Sequence, residues 1–142
     1  MERVIQLNRV SKVTKGGKNF SFNAVVVCGD GKGNVGVGIG KANEVSDAII
    51  KGASRAKKNY VRVMVVNNTI PHEVIGKFKA SNVFLKPAGA GTGVIAGASV
   101  RALCDAAGIK NILTKCLGSR TPLNILMATL NGFGQLRTTR RG

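Results

Sequence analysis

Tryptophan is absent, histidine and tyrosine occur once each, and only six acidic side chains stand among 142 residues. With His72 as its one histidine, the chain excludes a multi-histidine metal site and leaves room for no more than one His-based triad. The six carboxylates are scattered, and Glu44 and Asp47, the one close pair, are explained as helix-start residues. General acid–base chemistry is therefore disfavoured, and neither a metal nor a catalytic residue is expected. Cysteine is scarce and odd in number: Cys28, Cys104 and Cys116 have no metal-ligand spacing and form no disulfide framework. Reduced, mostly buried thiols in a reducing intracellular compartment are expected. No apolar run approaches the ~18 residues of a membrane span, and residues 1–10 lack the apolar core of a signal peptide, so no membrane partner is expected.

What is present in excess is positive charge and glycine. Twenty-two Lys and Arg against six acids give +16, and the 19 glycines are about twice the usual ~7%. The hydrophobic fraction of 44% is that of a globular chain, not of a disordered basic tail. The charge is not a graft on a neutral domain. Residues 1–70 hold 12 basic and 4 acidic side chains and residues 71–142 hold 10 and 2, so each half is +8. A folded chain that is cationic throughout points to a polyanion, nucleic acid first.

The first half reads as three strands and a helix. Val4 to Val13 alternates and meets a Thr14–Lys18 turn with two glycines. Phe20 to Val27 alternates and then becomes continuously apolar, which predicts a strand covered on one face and later on both. Cys28 to Asn34 is a hairpin signal, and Val35 to Gly40 sets β-branched residues on one face and bare backbone on the other. Asn43 is the expected cap of a helix whose stripe is Val45, Ala48, Ile49, Gly52, Ala53 and Ala56, small enough to lie close on the glycine face. After the polar residues 67–69 the second half predicts strands at Val74–Lys79 and Val83–Lys86, and a helix from Thr92 to Gly108. A further strand is expected at Asn111–Leu117, then a helix opened by Thr121-Pro122 and stopped by Gly132. The expected units are residues 1–66, residues 71–136 and a basic tail, residues 137–142. Each unit of ~70 residues is marginal alone, so mutual packing should contribute.

Two dinucleotide-like patterns stand trial. Gly31-Lys32-Gly33-Asn34-Val35-Gly36 is followed by a strand pattern, whereas the fingerprint must open a helix, so a hairpin turn is the better reading. Gly91-Thr92-Gly93-Val94-Ile95-Ala96 lies between a predicted strand and helix, but no acid follows Asp105 to hold a ribose. The Gly-Lys pairs lack the rest of a Walker A loop. No cofactor is expected, and a dinucleotide enzyme stays a remote alternative.

The basic features are stronger. Lys15 and Lys18 flank Gly16 and Gly17, with Arg9 and Lys12 just before them. This places cations around a loop tip whose backbone can approach a groove. Lys51, Arg55 and Lys58 form a cationic stripe opposite the apolar one, suited to RNA or to a protein neighbour. Phe20 and Phe22 share a strand face and could stack bases, but core packing is the expected role. With few stacking platforms, structured RNA read by phosphate, 2′-hydroxyl and shape fits better than single strands.

The stretches Lys15–Ala24, Gly29–Ala42 with Glu44-Val45, Pro87–Gly97 and Gly118-Ser119 closely resemble ribosomal protein five of the small subunit, the universal S-five family in its bacterial or organellar form. The resemblance covers nearly the whole chain apart from the longer terminal extensions usual in that family. It implies an α+β protein of two small α/β domains. The first would be a double-stranded-RNA-binding-like βββα domain, the second a β-rich domain with two helices and a left-handed βαβ crossover. It also implies a structural, non-enzymatic constituent of the cytoplasmic or organellar small subunit. That constituent binds 16S-type rRNA, stabilises the head against the body and supports translational accuracy. The implied partners are rRNA, ribosomal proteins four and eight, and mRNA where it enters the subunit. The loop of Arg9, Lys12, Lys15, Gly16, Gly17 and Lys18 corresponds to the family's hairpin near the spectinomycin site, with Lys51, Arg55 and Lys58 as further RNA candidates. A free-standing structured-RNA binder is the alternative.

Overall fold

The alternation of the first 29 residues produces a long antiparallel hairpin. β1 (Glu2–Thr14) runs back along β2 (Gly17–Gly29), closing at Thr14 opposite Gly17. The computed structural model describes residues 2–14 and 16–136, with the side chains at 12–14 and 17–19 outside the description; Lys15 and the basic tail 137–142 lie outside it as well. β3 (Asn34–Ala42) pairs with β2 from Gly29 only as far as Phe22, and the short β4 (Val61–Arg62) borders its start, giving the order β1-β2-β3-β4. β4 was not foreseen, since two residues carry no periodicity.

α1 (Val45–Lys58) lies on the face of Ala24, Val26 and Cys28, burying Ala48, Gly52, Ala53 and Ala56. The expected glycine face is real. A Cβ added at Gly36, Gly38 or Gly40 would overlap the α1 backbone at Ala56, Gly52 or Ala48. The residue at the helix start is Glu44, not Asn43; it is extended and makes no side-chain cap bond.

The second sheet has the order β5-β6-β8-β7. It comprises β5 (Val74–Phe78), β6 (Ser81–Pro87), β8 (Ile112–Gly118) and the short β7 (Val94–Ile95), with β7 parallel to β8. α2 (Ala98–Ala107) joins the parallel pair. The helix expected from Thr92 therefore starts later. Gly91 and Gly93 adopt φ of 88° and 79°, and Val94-Ile95 enters the sheet before Gly97 caps α2. Left-handed glycine backbone and β-branched Val-Ile oppose a helical first turn there. α3 (Pro122–Phe133) starts after Thr121 with Pro122 in its first turn, as expected, and its last residue lies one beyond Gly132. Gly132 serves packing instead, since its Cβ position is 3.3 Å from Cα of Gly76 in β5. Glycine thus brings helix and sheet into close contact in both halves.

The core is shared. Val25, Val27 and Val35 on the other face of the first sheet join Val100, Leu103 and Ala107 of α2 and Val83, Leu85 and Leu126 of the second half in one buried cluster. The expectation that β2 is covered on both faces is met: α1 covers one side and α2 the other. The chain is an α+β protein of two small α/β domains that share an interior.

The β2–β3 turn seals that junction. The four last carbonyls of a helix have no partner within it. In α2, those of Cys104 and Asp105 accept from Ile109 and Gly108, with Gly108 left-handed at φ 86°. Those of Ala106 and Ala107 accept from Gly31 and Gly33 of the β2–β3 turn at 2.8 and 2.9 Å. One half caps the helix of the other. The connecting segment is also pinned, with Ile70 buried and Asn68 O accepting from Lys110 and Asn111.

Candidate nucleic-acid interface

Strand length creates the most prominent surface feature. β1 and β2 each have 13 residues, but β3 has 9 and its pairing stops at Phe22 opposite Ala42. From Val10 opposite Ser21 to Thr14 opposite Gly17 the hairpin has no third strand, so a two-stranded ribbon projects by about 17 Å at ~3.4 Å per residue. In this ladder Lys12 pairs with Asn19 and Val13 with Lys18, and Gly16 lies in the turn. Lys15 and the side chains of Lys12 and Lys18 are outside the described residues, and Gly17 is placed only by its backbone pairing.

At the base of the ribbon Arg9 stacks on Phe20, its guanidinium carbon 4.3 Å from the ring centroid. Arg9 is opposite Phe22, which makes Phe20 its diagonal cross-strand neighbour on the same face. Such a stack contributes about 0.5–1 kcal/mol at an exposed site and holds the cation in place. The two phenylalanines, expected to share a core role, divide. Phe22 packs against the α1-side core, while Phe20 is 40% exposed because the sheet ends beside it. Phe20 therefore does not take the expected core role. No local signal separates the two rings, because the end of β3 opposite Phe22 is set by a register between separate segments.

The second set of candidates lies elsewhere. Beyond Val35, β4 no longer covers the far edge of β3. There Arg55 Nη1 donates to Ile39 O at 2.8 Å and Lys51 Nζ to Lys41 O at 3.4 Å. These side chains blunt an open sheet edge while keeping their charge at the surface. Lys58 is exposed in the last turn of α1. The fold joins Lys51 and Arg55 to one edge, apart from the β1–β2 turn.

The acids are engaged away from the ribbon tip. Glu2 accepts from Lys57 at 2.8 Å, and this hydrogen bond, with the attraction of the ammonium, lowers the Glu2 pKa and raises that of Lys57. Arg3 pairs with Asp105 at 3.3 Å and Lys86 with Glu73 at 3.8 Å. Asp30 accepts from the Asn34 side chain and from Lys32 N, both at 2.7 Å. Glu44 and Asp47 occupy the positive start of α1.

Among the described residues no three His, Cys, Asp or Glu converge as a metal site, and no helix is long and apolar enough to cross a membrane. All three thiols are free. Burial pushes Cys104 up to about 12 and also raises Cys28 and Cys116. The Gly91–Ala96 stretch does not open a helix, so the local geometry that would seat a pyrophosphate is missing.

Comparison with known proteins matches a separate family model to each half of the chain. A family model described as ribosomal protein S5, N-terminal domain, matches residues 1–64, and one described as ribosomal protein S5, C-terminal domain, matches residues 76–141. The small ribosomal subunit protein uS5 of Syntrophobacter fumaroxidans is 59% identical over 96% of this chain and 82% of its own length. The proteins of the same name from Thermotoga neapolitana and Chloroflexus aurantiacus are each 58% identical, over 99% and 95% of this chain and 79% and 76% of their own. The chain therefore belongs to the ribosomal protein S5 family, bacterial type, a family of structural ribosomal proteins and not of enzymes.

Proposed function

We propose that the protein is a small-subunit constituent that binds 16S-type rRNA through the projecting β1–β2 ribbon and so stabilises the head of the subunit against its body. The observation that carries this reading is the ribbon itself, a two-stranded projection with Arg9 braced on exposed Phe20, in a stretch whose sequence has lysine at positions 12, 15 and 18. A lone two-stranded ribbon is marginal in water and gains order from a partner. Gly16 and Gly17 let its tip approach a phosphate backbone, and the cations neutralise it. Lys51, Arg55 and Lys58 contribute a second cationic surface on α1. Ribosomal proteins four and eight are its protein neighbours, mRNA passes close by where it enters, and the ribbon lies near the spectinomycin site. The protein thereby contributes to translational accuracy.

The test is binding of the intact chain to a small-subunit rRNA fragment across a salt series, together with sedimentation of cell extract. Replacing Lys15 and Lys18 by Ala should weaken binding and reduce the salt slope by about 2, roughly 1 for each phosphate no longer neutralised. It should alter the spectinomycin response and leave the melting temperature unchanged. An unchanged salt slope would refute the ribbon assignment. A protein that stays out of the small-subunit peak would instead be a free-standing RNA binder.

A further inference from the structure

Phe20 sits on the ribbon in a position that core packing does not explain. Its direct cross-strand partner is Ser11, too small to cover a ring. The strand that flanks β2 on its other side has already ended, because Ala42 opposite Phe22 is the last pair of β3. Phe22, two residues along on the same face, packs into the core beneath α1, whereas the Phe20 ring stays open to solvent. Arg9 occupies the β1 side of that ring, with its guanidinium carbon 4.3 Å from the centroid. The β3 side is where the sheet stops.

A single exposed apolar side chain is ordinary, and what sets this one apart is its company. No acidic residue occurs between Arg3 and Gly29, so the ribbon offers an incoming cation nothing and an incoming polyanion a favourable field. A ring with a cation fixed against one face presents its other face to a flat, uncharged group. Nucleobases are such groups, they are carried on a polyanion, and any of the four stacks on an aromatic side chain. The base has to lie outside a helix. Bases within an A-form stem are already stacked, and its major groove is too deep and narrow for side chains to enter. We propose that Phe20 is the stacking platform for one unpaired rRNA base, with Arg9, braced on the opposite ring face, neutralising the adjoining phosphate. The inference rests on the RNA-binding reading of the ribbon. It adds a contact to a base where the cations address only the backbone.

The chain has no tryptophan, so Phe20→Trp places a single fluorophore at the platform. Titrating this intact variant with the small-subunit rRNA fragment should quench its emission several-fold, because a base in face-to-face contact drains the excited indole. Affinity should be retained, since an indole stacks as a phenyl ring does. Undiminished emission at saturation would overturn the proposal. Phe20→Leu keeps apolar bulk without the platform, and it should bind about 5- to 100-fold more weakly, the range for losing one stacked base. The salt series separates a platform from a mere brace. Phe20→Leu should leave the salt slope unchanged, whereas Arg9→Gln should reduce it by about 1. If Phe20→Leu lowers the slope as Arg9→Gln does, the ring only positions the cation and the base contact is refuted. On a fully paired RNA duplex of the same length, Phe20→Leu and the parent should bind alike; the same loss there would exclude an unpaired base. Unaltered fragment binding by Phe20→Leu, with the parent binding normally, removes this inference alone. A parent chain that does not bind the fragment removes the ribbon reading beneath it as well.

Discussion

Gly38 illustrates how one side chain can decide the packing of an element. Its position in β3 is opposite Val26, and an added Cβ would run into the backbone of Gly52 and Ala56 in α1. Backbone cannot swing aside as a flexible side chain does, so the helix would have to lift from the sheet. Gly38→Ala should therefore cost about 1–3 kcal/mol through overpacking, visible as a lower denaturant midpoint with an unchanged m-value. Gly89 gives the contrast, since its Cβ would meet nothing within 4 Å and its φ is not left-handed. Gly89→Ala should leave the midpoint where it is. Equal losses at both sites would mean that helix–sheet approach is not what Gly38 provides. The alternation of valine and glycine made this face legible in the sequence, because a strand repeats every two residues. The opposite fate of Phe20 and Phe22 was not legible there. Their spacing is that of one face, and only the end of β3 between them leaves one ring in the core and the other beneath Arg9.

At the scale of elements, the β2–β3 turn does more than reverse the chain. Asp30 organises it by accepting from Asn34 and Lys32, and Gly31 and Gly33 then direct their N–H groups at the end of α2. The Asn34 side-chain hydrogen bond, followed by that from Lys32 N, holds the Asp30 carboxyl at about 2, below its ordinary 3.8. A depressed folded-state value means that the ionised form is the one stabilised by folding. Its contribution is complete above about 3.8 and is lost as pH falls toward about 2. Denaturant midpoints measured down through that window should fall more steeply for the parent chain than for Asp30→Ala. The difference between the two isolates Asp30 from Glu2, whose pKa is also lowered. Parallel curves would show that the turn does not depend on the carboxylate. The hairpin itself was readable from its Gly-Asp-Gly-Lys-Gly-Asn run. Its second task was not, because α2 lies more than sixty residues away in the chain.

For the whole molecule, the shared cluster means that neither half owns a complete core. The proposed division into residues 1–66 and 71–136 is one of topology more than of stability. Separated from α2, the first half would expose Val25, Val27 and Val35, and burial of each such side chain stabilises by about 1.5–3 kcal/mol. It would also strip the caps from Ala106 and Ala107 in the other half. A fragment of residues 1–66 should melt broadly and at lower temperature than the intact chain, and adding residues 67–142 should restore a single sharp transition. A fragment as stable as the parent would show that the interface is incidental.

Charge and periodicity are properties of composition and of nearest neighbours, and these the sequence settles unaided. It determined that the chain is cationic and folded, that its strands come in a glycine-faced set, and that its long motifs resemble one ribosomal family. Tertiary structure decided what depends on contacts between distant segments. It delayed α2 to Ala98 by drawing Val94-Ile95 into the sheet beside β8, and it sent Arg55 and Lys51 to an open strand edge. It left Phe20 outside the core. Each of these outcomes is set by where one element ends relative to another. Local pattern carries no record of such endings, because the partners that impose them are remote in the chain.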